Sequence, residues 1–237
     1  VINVLESSIA RTADFVLPIH AGPEIGVAST KAFIGQLIVL YLLTLKISRD
    51  RDDITLNEYS KFLLELRNIP DLIEETLNKQ KDIQVIARDF IKAKGTMYLG
   101  RGYSYPIAME GALKLKELSY IHAEGYPAGE MKHGPISLID SNMPVFNIVT
   151  DGPYLNKMIS NIREIQSRKG KIIVLTNCPE KLDPSWYNDI IIFDKTDDLL
   201  SPFLSTVCIQ LFAMYLATQR KLDIDQPRNL AKSVTVE

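Results

Sequence analysis

TMYLGRGYSYPIAMEGALKLKELSYIHAEGYPAGEMKHGPISLID, residues 96–140, sets the architecture of this chain. Thr96–Leu99 is a short run of strand-forming residues that stops at Gly100, with Gly102 just beyond it. Pro106 then opens a helical pattern that continues to about Tyr120. A strand handed directly to a helix is half of a βαβ unit, and such a crossover belongs to a parallel sheet. The part that follows, IHAEGYPAGEMKHGPISLID, holds Gly125, Pro127, Gly129, Gly134 and Pro135 and reads mostly as loop.

The same alternation continues downstream. Pro144–Val149, Lys171–Leu175 and Ile190–Phe193 read as strands, and Leu155–Arg168 and Pro202–Gln219 as helices. Upstream, Val1–Leu5 and Phe15–Ile19 read as buried strands, and a long helix starts near Ser29, a suitable N-cap. Its most apolar part, Ala32–Leu45, is too short to span a bilayer and is read as a buried core helix. Asp52–Lys94 is charged and helical, with Pro70 separating two helices, and serves as a connector. The end of the chain, DIDQPRNLAKSVTVE, reads as an extended tail. The expected fold class is therefore α/β, a parallel sheet flanked by helices on both faces. The chain begins with Val1 and opens in the apolar run VINVL, as a piece of a longer polypeptide starting at an internal strand would.

A net charge of -2 gives no bulk attraction to nucleic acid or to a membrane surface, and neither is expected as a partner. Cys178 and Cys208 lie in apolar surroundings without metal-ligand spacing, and are read as buried free thiols of a reducing compartment. G-x-S-x-G, H-E-x-x-H, a phosphate-binding P-loop and a dinucleotide fingerprint are all missing, so no metal and no cofactor are expected.

The acid–base residues crowd into the opening stretch: Glu110, Lys114, Glu117, His122, Glu124, Glu130, Lys132 and His133. Glu110, Lys114 and Glu117 fall at i, i+4 and i+7 and share one helix face. Two readings fit that spacing. One is a surface helix with ordinary ion pairs, each contributing about 0.3–0.5 kcal/mol. The other is a catalytic face, with a carboxylate of raised pKa exchanging protons and a lysine stabilising an enolate-like oxygen. Spacing by itself favours the first; the Gly/Pro-rich segment after the helix moves the balance toward the second. In that segment His133 precedes Gly134–Pro135, an ordered turn that would fix an imidazole able to open a sugar ring. Lys232, in NLAKSV, is a candidate for imine formation or for neutralising a substrate oxygen. Ser29 stands where a helix N-terminus could hold an anion or a ligand hydroxyl.

Three stretches, AGPEIGVASTKAF, LGRGYSYPIAMEGALKLKELSYIHAEGYPAGEMKHGP and DQPRNLAKSVTVE, closely resemble the C-terminal isomerase domain of glutamine–fructose-6-phosphate aminotransferases, the glucosamine-6-phosphate synthases. The resemblance covers essentially the whole chain. It implies sugar-isomerase (SIS) subdomains, with residues 1–53 the last part of a first one, residues 54–221 the connector and a second one, and residues 222–237 an active-site tail. It implies conversion of fructose 6-phosphate, with ammonia from a separate N-terminal glutaminase domain, to glucosamine 6-phosphate, in a cytoplasmic homodimer. By the family pattern Glu117 moves a proton between C1 and C2, Lys114 lies beside it, and His133 assists ring opening from the neighbouring subunit. Lys232 is the lysine of the isomerase reaction, and Val27, Ser29 and Ala231 touch the sugar. The family's Ser/Thr-rich phosphate loop has no counterpart in this sequence. A non-catalytic SIS module that binds a phosphosugar is the alternative; it would have no need for Glu117, His133 and Lys232 together.

Overall fold

A computed structural model describes residues 1–233. Five strands form one all-parallel sheet: β1 (Gly95–Gly100), β2 (His122–Pro127), β3 (Pro144–Val149), β4 (Lys171–Thr176) and β5 (Asp189–Ile192). Their order is β2-β1-β3-β4-β5. The helices are α1 (Ser8–Thr12), α2 (Lys31–Asp50), α3 (Leu56–Arg67), α4 (Ile69–Asn78), α5 (Gln80–Arg88), α6 (Ser104–Ser119), α7 (Leu155–Gln166) and α8 (Ser201–Gln219).

Side-chain alternation splits the core into two layers, and both faces of the sheet are covered, as expected for a parallel sheet. On one face Tyr98, Phe146, Ile148 and Ile173 meet Phe90, Ile107, Leu115 and Phe212 from α5, its C-terminal end, α6 and α8. On the other, Met97, Leu99, Val145 and Val174 meet Met158, Ile162 and Ile165 of α7. Every residue of β3 is buried, which is why PVFNIV is apolar but for Asn147, whose side-chain amide donates to the Val145 carbonyl at 3.1 Å. Tyr98 and Phe146 stack with centroids 4.6 Å apart, and Phe212 stands edge-on to Phe146 at 4.5 Å. Cys178 and Cys208 are buried free thiols.

Several expectations change. Residues 122–127, read as loop, are β2, paired with β1 from Gly95↔His122 to Gly100↔Pro127. Gly125 and Pro127 suit an edge strand here. A Cβ at Gly125 would stand 2.7 Å from the Cα of Met109, so glycine lets α6 lie directly on the strand. Pro127 ends the strand, where its missing N–H costs no internal ladder bond. Val1–Leu5 and Phe15–Ile19 are not buried strands: only an isolated bridge, Ile2↔Pro18, joins them, and Phe15 is fully exposed. Pairing at one residue leaves both segments on the surface.

Nor is α2 a buried core helix; Leu45 alone in it is buried. It touches the body along one stripe, where Ile34, Leu37, Ile38 and Tyr41 pack on Ile69, Leu200 and Phe203. Leu40, Leu43 and Ile47 stay exposed. By length and composition α2 and α8 would each suffice to cross a bilayer; α8 is mostly buried in the core. The connector holds three helices rather than two. Thr55 and Glu58 close a capping box on α3, Pro70 sits in the first turn of α4, and a further break at Lys79 frees α5 to pack on α8. The C-terminal tail, expected to be extended, bends at residues 224–226 and turns at Arg228–Asn229, with Asn229 at φ +62°; residues 234–237 lie outside the described ones.

Candidate active site

The apolar side of α6, with Ile107, Ala108, Ala112, Leu115 and Leu118, is buried against the sheet and α8. The stripe of Glu110, Lys114 and Glu117 is not a surface face. Glu110 and Lys114 are buried and Glu117 is half-buried. Lys114 Nζ donates to Glu117 Oε2 at 2.5 Å and lies 3.7 Å from Glu110 Oε1, which has no hydrogen-bond partner. Burial pushes the Glu110 carboxyl up from 4.5 to about 7; Lys114 opposes the rise and Glu117 adds to it.

A carboxyl raised on folding stabilises the fold fully below pH 4.5, and that contribution is lost as pH climbs through about 7. Glu110→Gln removes the titration. The Tm of the variant minus that of the parent is therefore expected to rise between pH 5 and pH 8, read by thermal denaturation. The same difference at both pH values would contradict the raised carboxyl.

The second part of the site is the loop Pro23–Thr30 with the tail laid over it. Ser29 was expected to cap α2. The N-cap is instead Thr30, without a side-chain bond, and the capping acceptor is the carboxylate of Glu24. Glu24 Oε1 accepts from Thr30 N at 2.8 Å and Ala32 N at 3.2 Å, with Ser29 Oγ at 3.5 Å. Glu24 Oε2 accepts from Lys232 Nζ at 2.7 Å, and Lys232 also donates to the Gly26 carbonyl at 2.9 Å. Partial burial raises the Glu24 pKa, but the bonds from Lys232, Thr30 and Ala32 outweigh it and hold the carboxyl down at about 2. Val27 N donates to Asp225 O at 2.9 Å, tying the half-buried Val27 to the tail. Ala231 is exposed beside Lys232.

The two parts share a cleft of about 670 Å³, whose walls include Glu24, Gly26, Lys114, Leu118, Gln210 and Asp225. It does not lie where a sheet of this order normally binds ligand, in the crevice between the carboxyl ends of β1 and β3. Side chains pack over the loops that leave both strands. Gly102, at φ +53°, is covered by the Tyr154 ring, which would stand 2.4 Å from an added Cβ. Asp198 lies over Gly152 and accepts from Thr150 Oγ1 at 2.8 Å.

Five of the expected residues thus come together in two groups, Lys114 with Glu117, and Lys232 with the loop that carries Val27 and Ser29. His133 does not join them. It is exposed on the 3-10 turn Met131–His133, and among the described residues its side chain has no hydrogen bond to Lys114, Glu117 or Lys232. Sequence reasoning missed Glu24 and Gly26. An acidic residue shortly before a helix start was the available signal for Glu24; nothing in the sequence marked the Gly26 carbonyl.

A five-stranded parallel sheet clad in helices, with a lysine–carboxylate pair in a side cleft, defines the class. Residues 89–220, more than half of the chain, match the model of the SIS domain, and the chain belongs to that family. More particularly, all of it is similar to part of the glutamine–fructose-6-phosphate aminotransferase [isomerizing] of Aquifex aeolicus, at 47% identity over 236 residues. The chain spans about 38% of the length of that relative. It also superposes on the C-terminal domain of glucosamine-fructose-6-phosphate aminotransferase from Francisella tularensis with a TM-score of 0.91 and 41% identity, covering 95% of this chain and 63% of that one. The tagatose-6-phosphate ketose/aldose isomerase of Escherichia coli, at 19% identity and a TM-score of 0.71, covering 97% of this chain and 62% of that one, shares the fold.

Proposed function

We propose that this chain is the isomerising part of a glutamine–fructose-6-phosphate aminotransferase. In the whole protein it turns fructose 6-phosphate, with ammonia from a glutaminase domain, into glucosamine 6-phosphate. The observation that carries the reading is the Lys114–Glu117 pair, whose buried Lys114 lines a cleft also lined by Asp225 of the tail and by Glu24, the partner of Lys232. Ketose–aldose conversion removes a proton from C1 and returns one to C2, and a single carboxylate on one side of the sugar can do both. Glu117 is that carboxylate. The Lys114 ammonium faces the negative charge that develops on the enediolate oxygens. Lys232 engages the substrate at its carbonyl end, and Val27, Ser29 and Ala231 line the sugar. His133 assists ring opening in a neighbouring subunit of a cytoplasmic homodimer, consistent with its exposed turn away from Lys114 and Glu117. In this reading residues 1–53 complete a first SIS subdomain, 54–221 form the connector and the second, and 222–237 close over the sugar.

The test is exchange of fructose 6-phosphate with glucose 6-phosphate by the full-length protein without glutamine, followed by solvent deuterium entering at C1 and C2. Exchange at both carbons is expected. Binding of fructose 6-phosphate by calorimetry without any deuterium entry would replace the reading by a phosphosugar-binding module.

A further inference from the structure

Lys232 sits on a tail with no helix or strand, and its side chain is 41% exposed. A long lysine in that setting visits many rotamers, and an exposed ion pair does little to choose among them. Its partner here is different. The Glu24 side chain is only 10% exposed and is held by the Thr30 and Ala32 amides, neither of which belongs to the tail. One carboxylate oxygen is thus committed to the positive end of α2 and the other is left free, aimed at the tail. The Gly26 carbonyl gives the ammonium a second fixed acceptor, and the Val27–Asp225 backbone bond sets the start of the tail against the same loop. A further clasp lies at the end of α6. Tyr120, in the left-handed conformation at φ +59°, accepts from Arg228 N at 2.7 Å, and the Arg228 guanidinium lies 4.2 Å over its ring.

We propose that Glu24 is a positioning residue for Lys232. Its carboxylate converts the fixed direction of the α2 N-terminus into a fixed place for the tail ammonium, on the loop of Val27 and Ser29, whose Glu24 and Gly26 line the same cleft as Lys114. Glu24 exchanges no bond with substrate. It acts by holding Lys232, and the inference rests on the isomerase reading above for what Lys232 then does.

The experiment uses the full-length protein and compares Glu24→Gln, Glu24→Asp and Lys232→Ala. Gln keeps an amide oxygen for the Thr30 and Ala32 amides but loses the charge that holds Lys232. A lost charge-assisted bond corresponds to about a 10- to 100-fold effect. Glu24→Gln is therefore expected to lower kcat of the exchange by that factor, with KM for fructose 6-phosphate changed less than about threefold. Glu24→Asp is expected to restore part of it. Reductive methylation of Lys232, read by mass spectrometry against Lys116, should speed up in Glu24→Gln and not in Glu24→Asp, an effect that loss of a helix cap would not produce. Exchange within twofold of the parent, or unchanged methylation of Lys232, overturns the role of Glu24 while the isomerase reading stands. Full exchange by Lys232→Ala takes Lys232 out of the reaction and with it overturns the role of Glu24, while the isomerase activity itself stands.

Discussion

Exchanging Glu117 for Gln in the full-length protein is expected to slow fructose 6-phosphate/glucose 6-phosphate exchange about a thousandfold. Positioned general bases contribute roughly 10²–10⁴. The change is nearly isosteric. The amide oxygen can still accept from Lys114 Nζ, now 2.5 Å from Glu117 Oε2, so α6 and the cleft wall need not move. What disappears is the proton acceptor. KM should change little, because the loss falls on the transition state rather than on binding. Glu110 does not replace it: that carboxyl is buried one turn back on the far side of Lys114, and burial holds it partly protonated near pH 7. Deuterium entry at C1 is the direct readout. A rate within tenfold of the parent would remove Glu117 from the proton transfer.

The second large effect concerns stability. Lys114 is buried between two carboxylates, 2.5 Å from Glu117 Oε2 and 3.7 Å from Glu110 Oε1. Breaking such a pair by removing one partner costs about 3–5 kcal/mol, because the remaining charge stays buried without compensation. Lys114→Met keeps much of the aliphatic stem and removes the charge. A fall in Tm of roughly 10 °C is expected at pH 8 for a domain of this size. Part of the penalty belongs to the Glu110 carboxyl, which burial raises to about 7, so that part shrinks as Glu110 protonates and the fall should be smaller at pH 5. Thermal denaturation at the two pH values measures both. A fall below about 2 °C at pH 8 would mean that the stripe behaves as a set of solvated surface pairs.

That contrast marks where sequence reasoning was weakest. Glu110, Lys114 and Glu117 at i, i+4 and i+7 have the same spacing on a surface helix as on a buried one. Burial follows from what α6 lies beneath: the Pro23–Thr30 loop and the tail, distant in sequence, wall the same cleft as Lys114. Strand β2 was lost for a related reason. HAEGYP carries glycine and proline because α6 presses on Gly125 and because it is an edge, and the same two residues are what loops use. Helix α2 failed the other way. Its apolar composition was taken for burial, whereas it meets the body along one stripe.

The amino-acid sequence alone determined the alternation of strands and helices and hence the parallel sheet. Both faces of β3 and β4 are buried, and two-sided burial leaves largely apolar runs, unbroken in Ile172–Leu175, legible without a structure. It also determined the candidate residues, which the three family-like stretches name. The tertiary structure decided which of them work side by side. It drew Lys232 to Glu24 across 208 residues, put Lys114 between two carboxylates, packed Tyr154 and Asp198 over the loops after β1 and β3, and set His133 apart. Local periodicity is written in neighbouring residues. Desolvation and ion pairing depend on segments that meet only when the chain is folded.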